Sequence, residues 1–215
     1  MMSAEDLFAS AIGDETRLRE LYEEPTVGAR HKDIGHMDEM CRRLIGACRL
    51  VLVGSYDAQG RCDVTPRGGP AGFVAVLDEH HLALPDATGN RRLDTLANVV
   101  QTGEAALLFL IGGRETTLRV NGAACVSEDP ELLARLSPVG KPPRTALVVR
   151  VREAYAHCPK AFIRSALWDP SSWSEATDLP TAAEVSLAHR RPREPALTLA
   201  EVEHQQQESV RTRLA

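Results

Sequence analysis

Gly89, Asn90, Arg91 and Arg92 stand immediately before a run, RRLDTLANVV, whose apolar residues Leu93, Leu96, Val99 and Val100 recur at the spacing of a short helix with one buried face. The first N–H groups of a helix have no intrahelical acceptor and carry partial positive charge, so with two guanidinium groups beside them they would cradle a dianionic phosphate. The competing reading is that Arg91 and Arg92 are solvated surface residues, the commoner fate of an arginine pair. A second candidate is Arg67 in TPRGG, at a strand end beside two glycines that let a ligand approach the backbone, or else in an ordinary turn. Arg164 and Trp168 in IRSALWDP are four apart; on one helical face they would set a cation and an aromatic plate against a ring system, unless the indole is simply packed. His157 and Cys158 are neighbours in sequence and point to opposite sides of a strand, which argues against a nucleophilic or metal-binding pair.

Other chemistry is missing. The chain has no G-x-S-x-G, no H-E-x-x-H, no Walker A pattern, and no G-x-G-x-x-G between a strand and a helix. Its five cysteines are odd in number and form no C-x-x-C pair, so neither a disulfide framework nor a zinc site is indicated, and they read as buried or idle thiols. A formal net charge of −5 gives no long-range attraction to nucleic acid or anionic lipid, so any positive site must be local. No apolar stretch approaches a membrane span, and the acidic start is unlike a signal peptide, so a cytoplasmic protein is expected.

The elements that would position these residues are mainly strands. Residues 3–49 read as helical, with an EEPTVGARHKD loop inside them. LVLVGSY and CDVTP form a hairpin around DAQG, where Gly60 supplies a positive φ. FVAVLD and HLALPD read as two short strands, followed by AALLFLI, by TTLRVNGAACVS with a bulge or kink at Gly122, and by the alternating ALVVRVREAYAH. DPELLARL is a linking helix, a short helix follows Pro159, HRRPREP reads as a linker, and Thr198 caps a polar terminal helix. Six or seven closely spaced strands predict a mostly β protein with flanking helices, built as an antiparallel barrel. The domains expected are a helical segment over 1–48 packing on the barrel, the barrel over 49–170, and a linker with a helical tail over 171–215.

DVTPRGGPAGFV, LALPDATGNRRLDTLANV, GEAALLFLI, TLRVNGAA and AYAHCPKAFIRSALWDP occur in an order and spacing that resembles the pyridoxamine 5′-phosphate oxidase-like FMN-binding proteins over roughly residues 30–180. The DVTPRGGPAGF and GNRRLD segments look like a bacterial subgroup of that family. The resemblance implies a Greek-key split β-barrel and a homodimer with FMN at its interface. It implies cofactor contacts from Thr65, Pro66 and Arg67 on one strand, from Leu84 and Pro85 at the end of another, and from Asn90, Arg91 and Arg92. It also implies a contact from Thr117 across the dimer, and aromatic and basic cover from Lys160, Arg164 and Trp168. The authentic oxidase ends in a Trp and an Arg-x-His pattern that grips its substrate; no such pattern follows Trp173, which argues against vitamin B6 oxidation.

With FMN, the isoalloxazine would carry the redox chemistry, so no acid or base need be visible in the sequence. The expected reaction is hydride or electron transfer between NAD(P)H and a small organic acceptor. The alternatives are a flavin storage or sensing module, a barrel that uses a deazaflavin or haem with His157 as axial ligand, or a scaffold for partner binding.

Overall fold

The computed structural model describes residues 4–86, 91–136, 142–173 and 178–213. The chain divides into two units, Met1–Asp33 and Ile34–Ala215. The first holds three short helices, α1 (Ala4–Ala9), α2 (Glu15–Glu20) and α3 (Val27–Arg30), none of which buries a residue. Asp14 and Thr26 cap α2 and α3 by accepting from Arg17 N and Ala29 N.

The second unit opens with α4 (Glu39–Ala47), capped by Asp38, which sends Cys41 and Ile45 into the core. Seven strands follow: β1 (Leu50–Tyr56), β2 (Cys62–Gly68), β3 (Ala75–Val76), β4 (His81–Pro85), β5 (Glu104–Leu110), β6 (Thr117–Ser127) and β7 (Ala146–Ala156). They form one sheet in the order β2-β1-β5-β6-β7-β4-β3, with every pair antiparallel. α5 (Asp94–Thr102) connects β4 to β5, and α6 (Pro130–Arg135) connects β6 to β7.

The sheet curls until its ends approach. Arg67 on β2 pairs with Asp86, the residue after β4, at 2.7 Å, although four strands separate β2 from β4 in the sheet. No ladder joins these two strands among the described residues, so the barrel is closed by a side-chain bridge and split along the backbone. This is the split-barrel fold.

Alternation sets the two faces. Val51, Val53, Leu107, Phe109, Leu118, Val120, Val149 and Val151 point inward and pack with Met37 and Ile45. Residues in register with their neighbours, Leu50, Leu52, Leu108 and Leu110, lie on the outer face, where Leu50 remains 39% exposed. The kink expected at Gly122 is present: the β6–β7 register shifts between Asn121 and Gly122, leaving Arg152 as the extra residue on β7. Gly60 takes φ 77° in the hairpin turn, where Asp57 accepts from Gln59 N and Arg61 N.

Some expectations need correction. FVAVLD yields a strand of only two residues, β3, because Phe73 and Val74 turn into the core instead of pairing. The region read as a linker around HRRPREP contains a helix, α8 (Ala182–Arg190), started by a reciprocal capping box between Thr181 and Glu184. The terminal helix is α9 (Leu199–Arg213), and Thr198 and Glu201 exchange the expected capping bonds. No helix among the described residues is long and apolar enough to cross a membrane.

Cys41 and Cys48 are buried, whereas Cys62, Cys125 and Cys158 are exposed. Burial, reinforced by hydrogen bonding to Asp38, pushes the Cys41 thiol up to about 11, and burial also raises Cys48. Because the thiolate is the reactive form, iodoacetamide at about pH 8 should spare both in the native protein and label both after denaturation, as peptide mass spectrometry would show.

Candidate functional site

The split between β2 and β4 brings Thr65, Pro66 and Arg67 on one strand toward Leu84 and Pro85 on the other. β2 pairs only with β1, so the other backbone edge of Thr65, Pro66 and Arg67 has no strand partner among the described residues. β3 covers only Leu82 and Ala83 of β4, which leaves the corresponding edge of Leu84 and Pro85 without a strand partner among the described residues as well. Arg67 shares the inner face with Val51 and Val53, and its side chain, one-quarter exposed, reaches the Asp86 carboxylate through Nη1. A guanidinium has five donors in a rigid fork, so a carboxylate on one nitrogen fixes its aim and leaves the geometry for further acceptors. The Asp86 N–H in turn donates to Thr145 O, tying this residue to the start of β7.

Arg91 and Arg92 follow Asp86 and lead into α5. Asn90 lies outside the described residues. Arg91 and Leu93 both occupy the left-handed region, at φ 64° and 62°. For residues with a Cβ this costs about 1–2 kcal/mol each, and such strain concentrates where a backbone must be held for function. The helix begins at Asp94, later than the sequence suggested, and its N-cap, Leu93, supplies no side-chain hydrogen bond. The N-cap residue therefore offers the leading N–H groups of α5 no side-chain acceptor. Asp94 holds Arg92 through Nε at 2.7 Å, keeping that guanidinium beside the helix start.

α5 is fixed against the barrel by polar contacts. Thr95 donates to Asp63 at 2.9 Å, and buried Asn98 donates to Ser55 at 3.0 Å. A helix whose buried face makes these directed bonds to β1 and β2 cannot slide, so its N-terminus keeps a fixed position relative to Arg67.

A family model described as pyridoxamine 5′-phosphate oxidase matches residues 37–158, more than half of the chain. The chain belongs to the pyridoxamine 5′-phosphate oxidase family. No curated protein matches it. Similar solved structures include HupZ of Group A Streptococcus, at 17% identity and TM-score 0.46, covering 55% of this chain and 92% of that one. A putative pyridoxamine 5′-phosphate oxidase from Lactobacillus delbrueckii is 23% identical, with TM-score 0.45, covering 58% of this chain and 98% of that one. An FMN-binding protein from Syntrophomonas wolfei is 13% identical, with TM-score 0.40, covering 55% and 89%.

The remaining family-implied residues lie elsewhere. Thr117 is buried at the start of β6, in register with Leu110, and its carbonyl accepts from His157 N at 2.8 Å. Between β2 and β6 lie three strand spacings, about 14 Å along the sheet, so one chain does not bring Thr117 to Arg67. Lys160 and Arg164 are exposed on α7 (Lys160–Ser165). The expected shared helical face of Arg164 and Trp168 does not form: α7 ends at Ser165, and Ala166 takes a left-handed conformation, φ 47°. Trp168 instead stacks on Phe162, with ring centroids 6.0 Å apart, and donates from Nε1 to Arg114 O.

Asp86 escaped the sequence reading. Its role depends on the curl of the sheet, and nothing in DATGN marks it as the partner of an arginine on the opposite end.

Proposed function

We propose that this chain binds FMN at the split between β2 and β4 and acts as an oxidoreductase, moving hydride or electrons from a nicotinamide donor to a small organic acceptor. Two observations support this reading: Arg67 is oriented by Asp86 at the split, and α5, whose strained start bears Arg91 and Arg92, is tied to the same strand β2 through Thr95 and Asp63. This donor set suits a phosphate dianion: fixed guanidinium groups and helix N–H groups need little reorganisation to receive it. The open backbone edges of Thr65–Pro66 and Leu84–Pro85 supply hydrogen-bonding groups beside the phosphate site for a polar ring system. When bound, FMN would supply the hydride-transfer chemistry, while the protein orients it and limits water access.

The same reading takes the working unit to be a homodimer. Support comes from the apolar outer face formed by Leu50, Leu52, Leu108 and Leu110, and from the separation of Thr117 from Arg67 within one chain. A second chain would bring its own Thr117 and its α7 segment, with Lys160, Arg164 and Trp168, to the flavin.

Titration with FMN followed by anaerobic addition of NADH or NADPH tests the proposal. The expected result is a protein-bound flavin spectrum that bleaches on reduction and returns when an acceptor is admitted. Bound flavin that neither nucleotide reduces would restrict the function to storage or sensing. Protein that ignores FMN and takes up haem would overturn the assignment.

A further inference from the structure

Arg67 and Asp86 form the one ion pair among the described residues that joins β2 to the end of β4, Nη1 to Oδ1 at 2.7 Å. Both backbones are held independently of it. Arg67 sits in the β1–β2 ladder opposite Val51, and the Asp86 N–H donates to Thr145 O at 2.9 Å. The bridge can therefore part by rotation of two side chains, with no ladder bond lost. Those side chains are 25% and 21% exposed, so the pair borders solvent, yet it is better shielded than Arg92–Asp94, whose members are 73% and 46% exposed. Shielding from water strengthens the attraction of opposite charges and equally the repulsion of like ones.

A carboxylate has the wrong sign for a phosphate site. Arg67, Arg91 and Arg92 are the cations assigned to the phosphate, but Asp86 neutralises the first and Asp94 the last. A phosphate monoester, which carries nearly two negative charges at neutral pH, would meet little net positive charge while both pairs hold. Carboxylate and phosphate also compete for the same donors, since each accepts from a guanidinium fork in the same geometry. Asp86 takes a terminal nitrogen, Nη1, of the fork that the phosphate would grip. Before flavin binds, the protein's own carboxylate stands where a ligand oxygen would.

We propose that Asp86 is an internal stand-in for the phosphate: its carboxylate holds Arg67 and clasps the split until FMN binds, and the phosphate then takes the guanidinium from it. This rests on the flavin site proposed above and adds a property to it, because exchange of one anion for another weakens retention and makes the flavin an exchangeable ligand. Once released, the Asp86 carboxylate turns to the solvent it already borders, while its backbone stays on Thr145.

Asp86→Asn, which keeps the shape and removes the charge, tests this in the full chain with two readouts. In fluorescence titration it should bind FMN about tenfold more tightly than wild type, the combined effect of the competition and the repulsion removed. Riboflavin, which has no phosphate, should bind the two proteins equally. In the protein without flavin, amide hydrogen exchange followed by mass spectrometry should run about threefold faster over residues 62–68 and 81–86, because a neutral amide holds Arg67 less firmly. Asp86→Ala, which removes the acceptor as well, should raise exchange further. Unchanged or weaker FMN binding by Asp86→Asn would overturn the proposal and make Asp86 a residue that stays on Arg67 to position it. Unchanged amide exchange would overturn the clasp. FMN binding by neither protein, with exchange still faster in Asp86→Asn, would overturn the flavin reading and the exchange with phosphate while the clasp stands.

Discussion

Replacing Arg67 with alanine is expected to weaken FMN binding by about a hundredfold while leaving the barrel folded, since two charge-assisted hydrogen bonds to phosphate together contribute about 3 kcal/mol. The loss has two parts. The guanidinium fork disappears, and the Asp86 carboxylate it held at 2.7 Å is left facing the phosphate. Arg67→Lys should fall between wild type and alanine, because lysine restores the charge without the bidentate geometry. Fluorescence titration measures the affinities, and far-ultraviolet circular dichroism should be unchanged because the ion pair joins side chains and no ladder bond is lost. Wild-type FMN affinity in Arg67→Ala would remove the phosphate from the split.

Gly122→Ala should be the most disruptive single-methyl substitution in the sheet. A Cβ at this position would run into the carbonyl oxygen of Arg150 and lie 2.8 Å from its carbonyl carbon and 3.1 Å from Val151 Cα. All three are backbone atoms of the paired strand, so no side chain can swing away, and β6 and β7 must part. Overpacking of this kind costs about 3 kcal/mol. For a chain of this size that lowers the melting temperature by roughly 6–12 °C, which calorimetry would resolve. Alanine at Gly54, where the nearest atoms are 3.7 Å away or more, should change it little and serves as the matched control.

These two sites differ in how visible they were before the fold was known. Gly122 interrupts a clean alternation of apolar residues, so its kink could be read from TTLRVNGAACVS, as could Gly60 from the hairpin. Strand identity was legible for the same reason: period-two burial along β1, β5 and β7 leaves its pattern in the residue types. α8 was obscured by the prolines and charges that follow it, although the Thr181–Glu184 spacing is a capping signal. The pairing of Arg164 with Trp168 failed because helix length was assumed, and α7 stops before the second residue. The bridge from Arg67 to Asp86 was invisible in principle, because it depends on which strands become neighbours after the sheet curls, and one-dimensional spacing does not encode that.

Arg91 and Arg92 occupy an intermediate position. Their grouping before a helix was plain, but their competing reading as solvated residues could be addressed only through backbone conformation. Both arginines are exposed, as the competing reading expects, and the proposed cradle rests on the left-handed backbone of Arg91 and Leu93 and on Asp94 holding Arg92 at the start of α5.

A phosphate-selective flavin site at the split should distinguish FMN from riboflavin in parallel titrations, because the ligands differ only in the phosphate. FMN is expected to bind at least about a hundredfold more tightly than riboflavin, the factor expected from the Arg67 fork and the start of α5. Equal affinity for the two, or no affinity for either, would contradict it.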